Sequence, residues 1–168
     1  GKIPGSFFKR EGRAGEKATL IARMIARPLR PLFPKGWRYE TQLVSIPLSI
    51  DHDAPWDILA MNGASAALMV SDIPFNGPVA AVRVGRIQGQ WVLNPTFQQL
   101  DYSDVDIVVA GSDKAILMVE GGSLEVPEED IADALIGAHE GFKELVRMQR
   151  EALAEIGDAP PVMAWSPK

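Results

Sequence analysis

The apolar positions of this chain fall into segments of clearly different rhythm. In "GEKATLIARMIARPLRPLF", Leu20, Met24 and Arg27 follow one helical face, Ile21 and Ile25 widen it, and Pro28 predicts an end or a bend. "YETQLVSIPLSI" alternates well enough to predict a strand, which Pro47 assigns to an edge or a bulge. "PWDILAMNGASAALMVSDI" predicts a second helix with Pro55 in its first turn. Ile58, Ala60, Met61, Ala64, Ala67 and Leu68 make it apolar almost all round, so it should bury against a sheet, and "NGASAA" allows another backbone close. Two hairpins follow: "VAAVRVGRIQGQWVLNP" turning at "IQGQ", then "DVDIVVAG" and "AILMVEGG" turning at "GSDK".

The last and longest predicted helix runs through "SLEVPEEDIADALIGAHEGFKELVRMQREALAEIG". Pro127, Glu128 and Glu129 suit the positive end of its dipole, and Gly157 suits its end. Ile131, Leu135, Ala138, Phe142, Leu145 and Met148 mark one face, and His139 reads as a structural histidine. The order helix, strand, helix, hairpin, hairpin, helix predicts an α/β fold of α+β layers, not a doubly wound sheet, because hairpins pair antiparallel. The chain opens on a loop with no element before it, so the expectation is a domain lacking its first strands.

Composition narrows the function classes. An apolar share of 46% and a charged share of 23% in 168 residues are those of a globular protein with a core. No apolar run is long enough for a membrane span, and "GKIPG" has no signal-like apolar stretch after its lysine. With no cysteine, and His52 and His139 far apart, neither a disulfide framework nor a zinc centre is expected. The net charge of −5 is unevenly spread: residues 1–38 hold ten bases and two acids, the remainder seven bases and twenty acids. Two readings fit that asymmetry: an anionic partner for the basic segment, or bases paired with the acidic body of the fold. Arg23, Arg27 and Arg30 could form a basic ridge under the first reading.

The opening stretch "GKIPGSFFKREGRAGEK" concentrates the candidate chemistry. Its four glycines predict a loop, in which Phe7 and Phe8 stand beside Lys9, Arg10 and Arg13. Rings on which bases stack, beside cations that hold phosphates, are the elements of a single-stranded nucleic-acid site. Other motifs are weaker. "EGRAGEKA" lacks the GxxxxGK[ST] of a phosphate loop. Arg83 and Arg86, three apart on a strand, should point to opposite faces and read as ordinary exposed residues.

Taken together, "KIPGSFFKREGR", "RPLRPLFPKG", "DILAMNGASAAL", "IPFNGPVAAVRVGRIQGQWVLNPT" and "SDVDIVVAG" closely resemble the first of two RNase PH-like core domains of the bacterial polynucleotide phosphorylases. The resemblance divides the chain into residues 1–78, the remainder of that core; residues 79–150, its C-terminal part; and residues 151–168, a linker into an all-helical segment. It implies a cytoplasmic homotrimeric ring that threads single-stranded RNA and degrades it from the 3′ end. Inorganic phosphate would be the co-substrate, Mg²⁺ the metal and nucleoside diphosphates the product; an RNA-degradation complex is a possible partner, a membrane is not. The loop matching "FFKR" would line a constriction, with Phe7 and Phe8 as stacking platform and Lys9, Arg10 and Arg13 as phosphate contacts. Lys9 stands where arginine is more usual, which keeps the charge and loses the planar fork.

The same resemblance speaks against catalysis in this chain. Trp56 and Asp57 stand where the second core of the family has a serine pair for phosphate. Of that core's two aspartates and a lysine, only one is matched, by Asp106; Leu100 and Val108 replace the others. Asp101, Asp104 and Asp106 form an acidic run, but acids are common at such turns. The expectation is therefore no catalytic and no metal-binding residue here, only RNA guidance. A trimerisation scaffold without RNA contact is the alternative, and a metabolite kinase of the same broad superfold a weaker third.

Overall fold

The structure is a computed structural model that describes Gly12, residues 14–157 and residues 161–164. The elements are α1 (Glu16–Leu29), a 3₁₀ turn (Arg30–Leu32), α2 (Asp57–Met69), β1 (Ala80–Ile87), β2 (Gln90–Leu93), α3 (Phe97–Asp101), β3 (Ser103–Gly111), β4 (Ile116–Ser123) and α4 (Glu128–Ile156). The strands form one antiparallel sheet in the order β2-β1-β3-β4. Both hairpins are therefore present. The first turns on Gln88 (φ 50°) and Gly89 (φ 78°), two positive-φ residues that match the twist of the flanking strands.

The sheet is covered on both faces, which makes three layers. Ala81, Val108, Ala110 and Met118 pack against Ile21, Ile25 and Leu29 of α1 and Ile58, Met61, Ala64 and Leu68 of α2. Ala80, Val82, Val84, Val105, Ile107 and Val109 face Ala134, Ala138, Phe142 and Val146 of α4. Strand alternation thus serves two cores, and β1 and β3 read as nearly unbroken apolar runs for that reason.

Three expectations about elements need correction. Residues 39–50 form no strand; they run as irregular chain, with Val44 and Ile46 at 69% exposure and Leu48 at 95%. An alternating run becomes a strand only with a partner to pair with, and none lies beside it among the described residues. The buried face of α1 is Ile21, Ile25, Pro28 and Leu29, while Leu20 is half exposed. In α4 the buried stripe is Ala134, Ala138, Phe142, Val146 and Gln149; Met148 is exposed, and Ile131, Leu135 and Leu145 flank the stripe. Gly157 ends α4 at φ 69°, as its sequence position suggests.

The "NGAS" turn of α2 has an unforeseen use. The Asn62 side chain donates to the Ala81 carbonyl (3.0 Å) and accepts from the Ala81 N–H (2.9 Å), which caps β1 ahead of its pairing with β2. Ser65 and Gln149 are buried and close a ring with Val79. Ser65 Oγ donates to Gln149 Oε1 (2.8 Å), Gln149 Nε2 donates to the Val79 carbonyl (2.9 Å), and the Val79 N–H donates to Ser65 Oγ (2.8 Å).

Candidate functional site

Phe7, Phe8, Lys9, Arg10 and Arg13, the residues that the sequence puts forward for RNA, lie outside the described residues. Arg23 and Arg27 of the helix that follows them, and Arg30 at the start of the 3₁₀ turn, are exposed. Arg27 forms an ion pair with Glu120 on β4, so part of the basic segment is balanced by the acidic body. Arg23 and Arg30 make no ion pair among the described residues, which leaves both readings of the charge asymmetry represented in α1 and the turn after it.

The most constrained polar cluster lies where α2 begins. Trp56 precedes the helix, Asp57 is its first residue, and Asp57 Oδ1 accepts from the Ile58 N–H (2.9 Å). Arg83 reaches this point from β1: its Nη2 donates to Asp57 Oδ2 (2.5 Å) and its Nη1 donates to Asp106 Oδ1 on β3. Asp106 sits diagonally from Arg83, opposite Gly85, within side-chain reach across the two strands. The Arg83 backbone is itself fixed: its N–H donates to Asn94 Oδ1 (3.0 Å), and the Asn94 N–H donates to its carbonyl (2.7 Å).

Burial is what distinguishes this triad. The side chains of Arg83 and Asp57 are 12% and 13% exposed, against 51% for Asp106, and Arg83 Nε is buried with no partner among the described residues. The three line a cleft of about 220 Å³ with Lys17, Pro55, Trp56, Phe97 and Leu100. The Lys17 ammonium stands 5.8 Å from the centre of the Trp56 ring and 5.7 Å from that of Phe97, within cation–π range of both. Two cations and two carboxylates balance, and among the described residues no hydroxyl, thiol or histidine lines the cleft.

The expectation for Arg83 is corrected here: it is a largely buried, doubly ion-paired residue, not an ordinary exposed one. The signal was available, because an arginine inside "VAAVRV" on a strand covered on both faces must find a counter-charge. The expected opposite orientation of Arg86 holds. Its Nη1 meets Asp130 Oδ2 on α4 (2.9 Å), and its guanidinium lies 5.5 Å from the centre of the Trp91 ring.

The acidic run is divided between these two arginines. Asp106 goes to Arg83, Asp104 lies 4.0 Å from Arg86 Nε, and Asp101 ends α3. Among the described residues no three carboxylates or histidines converge as metal ligands would. With its one matching aspartate already held by a guanidinium, the cleft does not fit a Mg²⁺ centre, since Mg²⁺ demands a near-octahedral oxygen shell.

Two family descriptions match the chain in succession. Domain 1 of the 3′ exoribonuclease family matches residues 3–74, and domain 2 of the same family matches residues 77–141. The chain belongs to the 3′ exoribonuclease family. Within it, the chain is 56% identical over 167 residues to the polyribonucleotide nucleotidyltransferase of Thermus thermophilus, covering 99% of this chain and 23% of that protein. It is 54% identical over 165 residues to the polyribonucleotide nucleotidyltransferase of Gemmatimonas aurantiaca, covering 98% of this chain and 22% of that protein. The chain therefore spans less than a quarter of the length of these relatives, which fits one RNase PH-like core, the first. The crystal structure of rice Rrp46 superposes with a TM-score of 0.66 over 84% of this chain and 68% of that one. At 14% identity that likeness shows the RNase PH-like fold alone. No helix among the described residues is long and apolar enough to cross a membrane.

Proposed function

We propose that this chain is the RNA-guiding, non-catalytic core of a phosphate-dependent 3′-to-5′ exoribonuclease. The whole protein would thread single-stranded RNA through a homotrimeric ring in the cytoplasm, with inorganic phosphate as co-substrate and Mg²⁺ held outside this chain. The observation that carries the non-catalytic part is the Arg83 bridge. The aspartate that matches a metal-site position, Asp106, and the residue at the phosphate position, Asp57, are both held by the single Arg83 guanidinium in a narrow cleft, one positive charge shared by two carboxylates. An attacking phosphate would meet a carboxylate there, and like charges at short range repel strongly when screened little by water.

Guidance is assigned to Phe7, Phe8, Lys9, Arg10 and Arg13. Base stacking on aromatic rings, worth ~1–3 kcal/mol per base, is indifferent to base identity and suits a degrader of many RNAs. The F7A/F8A double variant is expected to weaken binding of single-stranded RNA about equally for all four homopolymers. Replacing Lys9 and Arg10 by Ala should also flatten the dependence of log affinity on log salt, by about 0.7 for each phosphate no longer neutralised. An unchanged slope would remove the phosphate-binding role of these two cations.

One observation favours a second reading, a scaffold for trimer packing. Val44, Ile46, Leu48 and Ile50 are exposed along one segment, and a trough of about 760 Å³ lies between that segment, α1 and α2. An apolar surface of this kind is usual where another copy packs.

A further inference from the structure

We infer that Asn76 is a site of spontaneous covalent modification, deamidation through a cyclic imide formed with Gly77, and that the product loosens the link between α2 and β1. Asn62 and Asn76 are each followed by glycine, whereas Asn94 is followed by a proline, which has no N–H to react. The reaction needs a side-chain amide free to turn onto its own main chain, and a following nitrogen that is unhindered and not hydrogen-bonded. The fold denies both to Asn62. Its Nδ2 donates to the Ile58 and Ala81 carbonyls (both 3.0 Å), its Oδ1 accepts from the Ala81 N–H (2.9 Å), and the Gly63 N–H belongs to the bonding ladder of α2. Asn76 is exposed, in a link with neither helix nor strand. Its backbone N–H donates to the Leu32 carbonyl (3.0 Å), but among the described residues neither its side chain nor the Gly77 N–H has a hydrogen-bond partner.

The same fold requires the glycine that makes Asn76 reactive. A Cβ at position 77 would run into the Phe75 ring, which packs on Phe33 with ring centres 5.6 Å apart. Gly77 therefore presents a nitrogen with no side chain beside it. That nitrogen, deprotonated, attacks Asn76 Cγ; the N–Cγ bond forms, the Cγ–Nδ2 bond breaks, and the amide nitrogen leaves as ammonia. Water then opens the imide at either carbonyl. Opening at Cγ gives aspartate, and opening at the main-chain carbonyl gives isoaspartate, whose backbone runs through an extra methylene. No redox step is involved, and each product gains a negative charge. The added length falls between two fixed points, the Asn76 N–H on Leu32 and the Val79 N–H in its ring with Ser65. Isoaspartate cannot keep both in register, so the aged chain should be the less stable one.

The test is to age the intact protein at mildly alkaline pH, folded and in urea, and to follow both asparagines in one digest. Pepsin in acid, where the reaction is slow, releases the peptides for mass spectrometry, and fragmentation assigns the position. In the folded protein Asn76 should convert at least about tenfold faster than Asn62, whose side-chain hydrogen bonds and helical turn must first be broken. In urea the two should convert at similar rates. The isoaspartyl fraction, separated by anion exchange, should unfold at a lower temperature than fresh protein. Asn76→Gln, in which the imide ring closes far more slowly, should keep its midpoint through the same incubation. Survival of Asn76 in the folded protein while it converts in urea would overturn the inference, because the link would then hold the amide away from Gly77. Equal conversion of Asn62 and Asn76 in the folded protein would overturn it too, since the fold would not discriminate between them. An unchanged midpoint in the isoaspartyl fraction would overturn the loosening of the link.

Discussion

Ser65, Gln149 and Val79 make a closed polar ring inside the core. Each hydrogen bond of their ring satisfies a group that no water reaches, and the three residues come from α2, α4 and the approach to β1. Removing the Ser65 hydroxyl strands both the Val79 N–H and the Gln149 side-chain oxygen, at ~1–3 kcal/mol for each buried group left unsatisfied. Ser65→Ala should therefore lower the unfolding free energy by about 2–3 kcal/mol in urea titration, at the low end of that range for two groups. Gln149→Leu should cost a similar amount. The double variant should cost less than the two combined, by more than the ~0.5 kcal/mol expected of independent sites. Additive losses would show that the ring is three separate contacts. None of this could be read from "NGASAAL", where Ser65 looks like one more small residue among small residues; its partner lies 84 positions away. Arg83 is the opposite case, since an arginine within an apolar strand announces a partner but does not say which.

Elements whose geometry is local were legible, and those that depend on distant chain were not. Both hairpins follow from their turns, because two positive-φ residues or a short polar link suffice to set register. Residues 39–50 have the alternation of a strand, but alternation reports only that two sides differ; pairing needs another backbone. The rotations of α1 and α4 have a related cause. Each helix offers more apolar positions than one face can bury, so the neighbour's shape chooses between adjacent phases. One backbone position in the second hairpin was equally hidden. Gly121 has φ 152°, and a Cβ there would lie 2.7 Å from the Ile107 Cα and collide with the Asp106 carbonyl oxygen. Gly121→Ala should push β4 off β3 and cost more than the ~0.5–1 kcal/mol that a compatible Gly-to-Ala change alters. Gly63→Ala is its control, since that position is helical with nothing within 4 Å among the described residues, and the helix-propensity gain of ~0.8–1.0 kcal/mol should be kept. Thermal unfolding of the two variants decides the point: a loss for Gly121→Ala and a gain for Gly63→Ala are expected, and equal shifts would refute the close approach of β4 to β3.

At the scale of the whole molecule, the proposed guidance and scaffolding roles are assigned to different stretches of the chain and can be separated by experiment. The basic stretch proposed for guidance precedes α1 in the sequence, whereas the exposed apolar segment lies across the trough from α1 and α2. If a second copy covers that segment, burying Leu48 alone, now 95% exposed, would contribute about 1.5–3 kcal/mol per interface. A lysine there would forfeit that gain and bury an unpaired charge. In the intact protein Leu48→Lys should therefore shift the mass in sedimentation equilibrium from that of the proposed trimer towards monomer, with RNA affinity per subunit reduced only as far as the proposed ring contributes. F7A/F8A should do the reverse, leaving the mass unchanged and weakening RNA binding. If F7A/F8A alone dissolves the oligomer, the loop is an assembly element and the scaffold reading prevails. If Leu48→Lys leaves the mass intact, the apolar segment is not where copies meet, and the scaffold reading loses the observation that favours it.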